Sequence, residues 1–358
     1  MKAVVWGCGG TGLDFLDRKV LNYSYGIICF TDNDSKLWGT KIKNTYKIIA
    51  PHDIKSYDFD IVIVCSLYFE DIIRQLTDEL GIKDEMIISY KEIEKDACDR
   101  IISRYCNSKD PEILDALEVY KKGELSFFGV YNPPYNNFSK VFRDDIGNPY
   151  IIFEDKRMYY PKEYSFRLVD GKEVVPDILY EQGNDSPHRY IPDGYVLPQG
   201  AVILDAGVCE GNFALRFVEN ASKIYLVESD KKWMDALRKT FAPFADKIVF
   251  CDKFLSGRSN SCEITIDELV DGRLDFLKMD IEGSEVYALQ GGMDTLAKNN
   301  VQCAVCTYHR QNDEKYVSYI LESYGYRTKP SKGYVFYSYD ETIMDTMDLR
   351  RGLIYAWK

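Results

Sequence analysis

Apolar and polar positions alternate along the first 95 residues in a way that predicts strands separated by helices. The apolar runs AVVWG, YGIICFTDND, YKIIAP, FDIVIVCS and EMIISY are typical of buried strands. The segments TGLDFLDRKVLN and LYFEDIIRQLTDEL place apolar residues three and four apart, as helices with one buried face do. Continuous apolar strands separated by helices predict a mostly parallel sheet that is covered on both faces.

The same alternation returns in residues 196–358. The strands predicted there are AVILDAG, KIYLVES, KIVFCD, LDFLKMD and QCAVCTYH, followed by a terminal strand pair, GYVFYSYD and GLIYAWK. Helices are predicted between them at 212–221, 231–243, 284–298 and 313–324.

The stretch between these two blocks differs in composition. Residues 96–123 are polar and helical in pattern, and residues 124–195 are rich in Tyr, Pro and Asn, with a hairpin turn predicted at Asp145–Pro149. We therefore predict a small Rossmann-like accessory domain at 1–95, a helical connection at 96–123, a β-rich cap at 124–195 and a second α/β domain at 196–358.

The net charge and the cysteine content limit the kinds of partner and the cellular environment that the chain is expected to have. The 358-residue chain has a formal net charge of -12, which argues against nucleic acid or an anionic membrane surface as its main partner. Ten irregularly spaced cysteines with no secretory signal before them predict reduced thiols in a cytoplasmic protein. Cys303 and Cys306 are predicted to be core residues, since positions three apart in a strand face opposite ways. No apolar run reaches transmembrane length.

Candidate binding residues follow from the rule that ligands of an open parallel sheet bind beyond the carboxyl ends of its strands. In the second α/β domain these ends carry, in chain order, Asp205, Glu228 with Ser229, Asp252, Asp280 and His309. After the first strand, Gly207 and Gly211 remove side chains where a ligand approaches the backbone, and Asn212 follows them.

The spacing of this loop indicates the kind of ligand. The pattern D-x-G-x-x-x-G is wider than the turn that seats a pyrophosphate, and it suits a nucleoside without phosphate, such as S-adenosylmethionine. Glu228 can accept both ribose hydroxyls, and Asp252 can accept the adenine amino group. The alternative is that Asp205 and Glu228 are helix caps or members of loop ion pairs.

The segments ILDAGVCEGNF, VESD, TIDEL and FLKMDIEGSEVYALQGG, with the histidine after the fifth strand, resemble the FkbM-type S-adenosylmethionine-dependent methyltransferases over about residues 175–345. The resemblance implies a class I methyltransferase fold in 196–358, an α/β domain with a seven-stranded, mostly parallel, doubly wound sheet whose last strand is antiparallel. It places Asp205, Gly207 and Gly211 at the methionine end of the cofactor and Asp280 near the sulfonium. Cys209 and Glu210 depart from the family's usual loop.

The resemblance also implies transfer of a methyl group to a hydroxyl, and this chemistry benefits from a general base. His309 is the candidate base, and Asp280 and Glu282 are candidates to orient it or the acceptor. The alternative is that His309 and Glu282 only cap a loop and a helix. Asp280, Glu282 and His309 could also hold a divalent ion, but their spacing does not require one, and no metal is predicted.

A second glycine loop, WGCGGTG, opens the chain, and Asp32 lies at the end of the next strand. This geometry resembles a dinucleotide fingerprint, so a nucleotide-binding oxidoreductase is the alternative function. The domain is short for a dinucleotide, and FTDNDSKLWGTKI resembles the small domains fused to sugar-modifying transferases. We predict that it binds a sugar nucleotide or related ligand or serves only in packing or dimerisation, and nicotinamide binding is the remaining alternative.

For two features of the cap we predict a structural role rather than a role in ligand binding. His188 and Arg189, in NDSPHRY, are predicted to lie in a surface turn, with contact to an anionic acceptor as the alternative. The tyrosines of residues 120–195 are predicted to pack a small β-rich region rather than to stack on sugars.

The function predicted from these features is an S-adenosylmethionine-dependent O-methyltransferase. Its acceptor is predicted to be a sugar or glycan-linked hydroxyl in surface polysaccharide biosynthesis, with a sugar nucleotide among the candidates. A homo-oligomer is compatible with the sequence. A non-catalytic nucleotide-sugar-binding module remains an alternative.

Overall fold

The computed structural model describes residues 1–131, 138–176 and 180–358. Contacts divide the chain into two compact units. The first unit is Met1–Val130 with Phe336–Leu349, and the second is Tyr131–Val335 with Arg350–Lys358. The four-segment division by composition stays a prediction of the domain boundaries.

The first unit contains a six-stranded sheet in the order β3-β4-β2-β1-β5-β6, with every neighbouring pair parallel except β3 and β4. Its strands are β1 (Lys2–Trp6), β2 (Gly26–Thr31), β3 (Lys41–Ile42), β4 (Tyr46–Ile49), β5 (Ile61–Val64) and β6 (Ile87–Ser89). Its helices are α1 (Gly10–Asp17), α2 (Lys19–Asn22), α3 (Phe69–Arg74), continued by a π-helical turn at Gln75–Glu79, α4 (Tyr90–Tyr105) and α5 (Pro111–Tyr120).

Local signals set the starts of the two long helices in this unit. Ser89 and Glu92 form a capping box at the start of α4, so that each side chain satisfies a backbone N–H of the first turn. Asp110 caps α5 through the Glu112 N–H, and Pro111 occupies the first helical position. The Asp-Pro pair thus sets the start of α5.

The second unit contains a seven-stranded sheet in the order β15-β14-β13-β18-β19-β21-β20, in which only β21 is antiparallel to its neighbours. The strands are β13 (Ala201–Ala206), β14 (Ala221–Val227), β15 (Ile248–Cys251), β18 (Phe276–Met279), β19 (Gln302–Cys306), β20 (Arg327–Pro330) and β21 (Leu353–Trp357). The helices are α6 (Asn212–Phe217), α7 (Lys231–Thr240), α8 (Ile266–Leu269), α9 (Glu285–Gln290), α10 (Met293–Lys298) and α11 (Asp313–Ser323).

Short strands precede this sheet and form two three-stranded sheets, in the orders β10-β9-β8 and β11-β12-β7. They are β7 (Phe138–Lys140), β8 (Phe142–Arg143), β9 (Pro149–Phe153), β10 (Lys156–Tyr159), β11 (Arg167–Val169) and β12 (Lys172–Pro176), and a two-stranded pair, β16 (Phe254–Leu255) and β17 (Glu263–Ile264), follows later. The predicted hairpin turn is present one residue earlier, because Asp144 accepts hydrogen bonds from the backbones of Ile146 and Asn148.

The prediction of one continuous helix over 284–298 was wrong. The structure has α9 and α10, separated at Gly291 and Gly292. A Cβ at Gly291 would lie 2.2 Å from the Ser256 carbonyl oxygen, so the chain passes close to a neighbouring loop at this point. The helical period of apolar residues continues across the break, and this is why the pattern alone does not reveal it.

The prediction of a strand at GYVFYSYD was also wrong. The edge strand β20 lies earlier in the chain, and Val335 forms only a single bridge, with Arg350. Phe336 is 1% exposed and packs in the first unit, where its ring lies 6.3 Å from that of Tyr120. The alternating aromatic residues that predict a strand here therefore include one, Phe336, that packs into the core of the first unit.

The core of the second unit lies on both faces of the large sheet. One cluster joins residues of β13, β18 and β19 to α9, α10 and α11. Cys303 and Cys306 are fully buried in β19, which confirms the prediction that they are core residues. Within the described ranges, every helix is too short or too polar to cross a bilayer.

Candidate active site at the carboxyl ends of the strands

The loop between β13 and α6 is compressed against the end of β18. Gly207 has a φ of +74°, and a Cβ there would lie 1.6 Å from the Asp280 carbonyl oxygen. Cys209 and Gly211 also have positive φ, at +48° and +83°. Glycine at 207 thus permits both the left-handed backbone and the close approach of the two strand ends.

A buried ion pair supports this loop from below. Lys278 Nζ lies 3.1 Å from Asp205 Oδ1, and both side chains are at most 5% exposed. The ammonium also donates to the carbonyls of Ala206 and Gly207. Burial lowers the pKa of Lys278, but the charges of Asp205 and Asp280 outweigh it, so the pKa is raised and the amine is charged. Asp205 thus holds the loop through Lys278.

The other residues predicted to bind a cofactor surround the loop. Glu228, after β14, accepts hydrogen bonds from the backbone N–H groups of Cys209 at 3.0 Å and Asp230 at 2.8 Å. Ser229 is half-buried beside it. Asp252 is exposed after β15, and Asn212 is the first residue of α6.

Asp280, after β18, lies at the centre of a cluster of polar rings. Tyr190 and Tyr308 donate hydrogen bonds to its two oxygens at 2.9 and 3.1 Å. His188 Nε2 lies 3.2 Å from Oδ2, and His309 Nε2 lies 3.3 Å from Oδ1. Burial raises the pKa of Asp280, but its partners, led by His188, outweigh this and hold the pKa well below its usual value. The carboxyl group is therefore ionised.

His309, after β19, lies between carboxylates. Its Nδ1 is 2.9 Å from Glu285 Oε1, while its Nε2 faces Asp280 and is 3.6 Å from Glu282 Oε2. Glu285 is fully buried at the start of α9, whereas the side chain of Glu282 is 81% exposed on a left-handed backbone with φ of +56°. Burial lowers the pKa of His309, but the hydrogen bond to Glu285 and the nearby charges outweigh it and raise the pKa.

Sequence reasoning missed Glu285 as the carboxylate that contacts Nδ1 of His309. A signal for it exists in KMDIEGSE, where Glu285 is the first residue of a helix that begins within this strand-end segment. Its Oε1 also accepts the Ile281 N–H at 2.9 Å, so the strand-end turn and the histidine share one buried acceptor.

The prediction that His188 lies in a surface turn was wrong. The residue is 4% exposed, and its Nδ1 lies 3.0 Å from Glu181 Oε2. Burial lowers its pKa, but the hydrogen bonds with Asp280 and Glu181 outweigh this and raise the pKa to about 9. This segment, which is polar in sequence, is buried because His188 and Tyr190 both form hydrogen bonds with Asp280.

This environment predicts a pH-dependent stability. A histidine whose pKa rises from 6.5 to about 9 on folding stabilises the protein below pH 6.5, and this stabilisation is lost as the pH rises towards 9. The loss amounts to ~3 kcal/mol. We expect urea unfolding at pH 6 and pH 9.5 to show a larger drop in stability for the wild type than for His188→Gln. Equal drops in the two proteins would show that His188 is not charged in the folded state.

An aromatic cluster packs beside the glycine loop. The ring of Tyr160 lies 5.0 to 5.7 Å from those of Tyr164, Phe166 and Trp233. Burial raises the pKa of the neighbouring Glu210 carboxyl. For Tyr160, which is 2% exposed, the prediction that the tyrosines of this region pack a small core is confirmed, whereas Tyr164 is exposed.

Two groups of side chains at this site have metal-ligand composition. Ligand atoms of Asp280, Glu285 and His309 lie within 4.8 Å of one another, and so do those of His188, Asp280 and Cys306. The hydrogen bonds and ion pairs among these groups account for their proximity without an ion. Glu282, which the sequence added to such a set, belongs to neither group among the described residues.

The first glycine loop contacts the acid at the end of the next strand. Asp32 Oδ2 accepts the Cys8 N–H at 2.8 Å, and the Gly7 N–H donates to the Thr31 carbonyl at 2.9 Å. Glu228 makes the corresponding contact with the Cys209 N–H, so the two loops share this local geometry.

The geometry places a glycine loop and several polar strand-end side chains at the carboxyl edge of a mostly parallel sheet, and sequence comparison shows which family model this region matches. Residues 205–328 match the family model of the methyltransferase FkbM domain. The chain therefore carries an FkbM methyltransferase domain, and the protein is a methyltransferase. Residues 1–88 match a second model, the C2185-like N-terminal domain.

Solved structures that resemble this chain do so at low sequence identity. Methyltransferase FkbM from Methylobacillus flagellatus KT is 13% identical, with a TM-score of 0.50 over 100% of this chain and 90% of that one. Precorrin-6y C5,15-methyltransferase from Geobacter metallireducens GS-15 is 16% identical over 45% of this chain and 83% of its own, with a TM-score of 0.31. A SAM-dependent methyltransferase from Aquifex aeolicus is 12% identical over 46% and 85%, with a TM-score of 0.29. No curated protein matches the sequence significantly.

Proposed function

We propose that the protein is an S-adenosylmethionine-dependent O-methyltransferase of class I fold that modifies a sugar or glycan-linked hydroxyl. The observation that carries the proposal is the joint position of the glycine loop, Glu228 and the His309–Glu285 pair at one edge of the sheet. The strand order, with β21 alone antiparallel, agrees with the class I layout.

The donor set around the glycine loop fits a cationic nucleoside better than a phosphate. Glu228 and Asp280 lie beside the loop, Asp252 follows the neighbouring strand β15, and the buried cation Lys278 is paired with Asp205. A phosphate would be repelled by such a set, whereas a sulfonium and an ammonium would be attracted. Glu228 would hold the ribose, Asp252 the adenine, and Gly207, Gly211, Asn212 and Ser229 would line the loop around the cofactor.

The bound cofactor supplies an activated methyl group, so the protein's own task is to position the acceptor and accept its proton. His309 would take that proton at Nε2, with Glu285 fixing the ring through Nδ1. Glu282 covers Nε2 from the solvent side, because its exposed carboxylate lies 3.6 Å away. An acceptor would approach from that side, and Asp280 would orient the imidazole.

The proposed acceptor class follows from the first domain and from the net charge of the chain. A sugar or glycan-linked hydroxyl, in surface polysaccharide biosynthesis, is supported by the resemblance of the first domain to those fused to sugar-modifying transferases. A cytoplasmic location, a sugar nucleotide as acceptor and a homo-oligomer are parts of the same proposal. The acidic net charge of -12 supports a partner other than nucleic acid.

Calorimetric titration of the whole protein with S-adenosylhomocysteine and then with NAD tests the proposal. Micromolar binding of the first alone would support a methyltransferase that works through the second glycine loop. Binding of NAD alone would favour an oxidoreductase that works through WGCGGTG. Labelled cofactor with a panel of sugar nucleotides then tests the acceptor, and absence of transfer to all of them would count against a sugar hydroxyl.

Removing the Glu228 carboxylate should weaken binding of S-adenosylhomocysteine. A hydrogen bond to a charged group contributes about 1.5–3 kcal/mol, so Glu228→Ala should raise the dissociation constant roughly 10- to 100-fold. Glu219→Ala is the matched control, since Glu219 is exposed and contacts only Lys156, at 3.7 Å, among the ion pairs of the described chain. Equal affinities in Glu228→Ala and wild type would remove Glu228 from the cofactor site.

A further inference from the structure

A cavity of about 390 Å³ lies against one face of the second unit's sheet and shares no lining residue with the glycine loop. The strand residues that line it are Gln302, Lys329, Pro330, Tyr355 and Trp357. The segment 184–195 closes it, with Arg189 and Tyr195 among its contributions. We call it the Arg189–Trp357 pocket. Cavities of roughly 300–1,000 Å³ are the size of small-molecule sites.

Strand alternation places aromatic and basic groups side by side in this pocket. Tyr355 and Trp357 lie two residues apart on β21 and therefore face the same side of the sheet. Lys329 pairs directly with Tyr355 across β20 and β21, so it faces that side as well. Ile354 and Ala356 face the other side and are buried in the core beneath α11.

The charge of the pocket is opposite to that of the protein. Its lining contains Arg189, Lys329 and Lys332 but only one acid, Asp193, in a chain whose net charge is -12. Arg189 binds Asp193 at 2.6 Å, and both lysines are exposed at the rim. A local excess of cations in an acidic protein favours an anionic ligand.

Arg189 is held in place by its neighbours in the chain. His188 and Tyr190 on either side of it contact Asp280, which fixes the backbone of this segment. The Tyr355 hydroxyl donates to the Arg189 carbonyl at 2.5 Å. The backbone of Arg189 is thus fixed beside the pocket, and its guanidinium, which lines the pocket, is held by Asp193 at 2.6 Å.

We propose that the Arg189–Trp357 pocket binds a phosphate ester attached to a ring, as in a sugar phosphate or a nucleoside phosphate. The guanidinium and the two lysines would bind the phosphate oxygens. The faces of Tyr355 and Trp357 would pack on the ring. This pocket shares no lining residue with the glycine loop, and its occupation does not depend on methyl transfer.

Tryptophan fluorescence tests this site directly. The whole protein is titrated with glucose 1-phosphate, with uridine diphosphate and with inorganic phosphate. We expect saturable quenching by at least one of the two ring-bearing ligands and much weaker binding of inorganic phosphate. Tighter binding of uridine diphosphate would identify a nucleoside as the ring, and tighter binding of glucose 1-phosphate would identify a sugar.

Single substitutions should show which tryptophan reports the fluorescence quench and which side chains bind the ligand. Trp357→Phe should abolish the quench, whereas Trp38→Phe, in the first unit, should leave it unchanged. Calorimetry of Arg189→Gln should show about 10-fold weaker binding or more. Lys329→Gln should also bind more weakly, and because this lysine is exposed its substitution leaves the fold intact. Arg258→Gln is the control, since Arg258 forms an exposed ion pair with Glu263 outside the pocket.

Three results would overturn the proposal. The first is the absence of saturable binding of either ring-bearing ligand at millimolar concentration. The second is equal affinity for inorganic phosphate and for both esters. The third is a quench that is lost in Trp38→Phe and retained in Trp357→Phe, which would place the ligand in the first unit.

Discussion

Replacing His309 with asparagine should lower the rate of methyl transfer roughly 10²- to 10⁴-fold, the contribution of a general base. Binding of S-adenosylhomocysteine should stay close to that of the wild type, since the ring contacts Asp280 and Glu285 rather than the glycine loop. Single-turnover transfer from labelled cofactor measures the first quantity, and calorimetry measures the second. His52→Asn is the matched control, because His52 is the exposed histidine of the first unit.

The pH dependence of the methyl-transfer rate should show whether His309 acts as a general base or contributes only to packing. The neutral imidazole is the active form, and a raised pKa of His309 leaves less of it at a given pH. The wild-type rate should therefore still rise with pH above 6.5, the ordinary value for histidine. Glu285→Gln removes the carboxylate that raises this pKa, so the rising limb should move to lower pH.

Two outcomes would contradict this mechanism. A rate in His309→Asn within a few-fold of the wild type would mean that another group accepts the proton. A rising limb that stays at the same pH in Glu285→Gln, in a variant that remains folded, would show that Glu285 does not act through His309. The pH shift matters here, because a purely structural role of Glu285 would lower the rate at every pH alike.

The sequence predicted best the elements that follow one clear period. The strands β13, β14, β15, β18 and β19 lie where the apolar runs place them, and each ends near the polar residue expected there. The predictions of secondary structure fail where the local sequence pattern and a tertiary contact favour different conformations. At Gly291 the helical period continues through a break imposed by a close loop, and at Phe336 a strand-like pattern serves the core of the first unit.

The candidate site was predictable only along the strand ends. Asp280 and His309 come together because they follow adjacent parallel strands, β18 and β19. His188, Tyr190 and Glu285 reach the same cluster from a loop and a helix start. Periodicity carries no information on such approaches, since they depend on how a connecting segment folds back over the sheet.

The largest structural effect should follow substitution of Gly207 by alanine. At φ of +74° an alanine is strained, and its Cβ would lie 1.6 Å from the Asp280 carbonyl oxygen, so the ends of β13 and β18 must separate. Gly272→Ala isolates the strain, because Gly272 has a φ of +86° and no atom within 4 Å of the added Cβ. We expect about 1 kcal/mol of lost stability for Gly272→Ala, and more than about 4 kcal/mol, with loss of cofactor binding, for Gly207→Ala. Urea unfolding and calorimetry measure both, and similar losses in the two variants would mean that the loop can yield without disturbing Asp280.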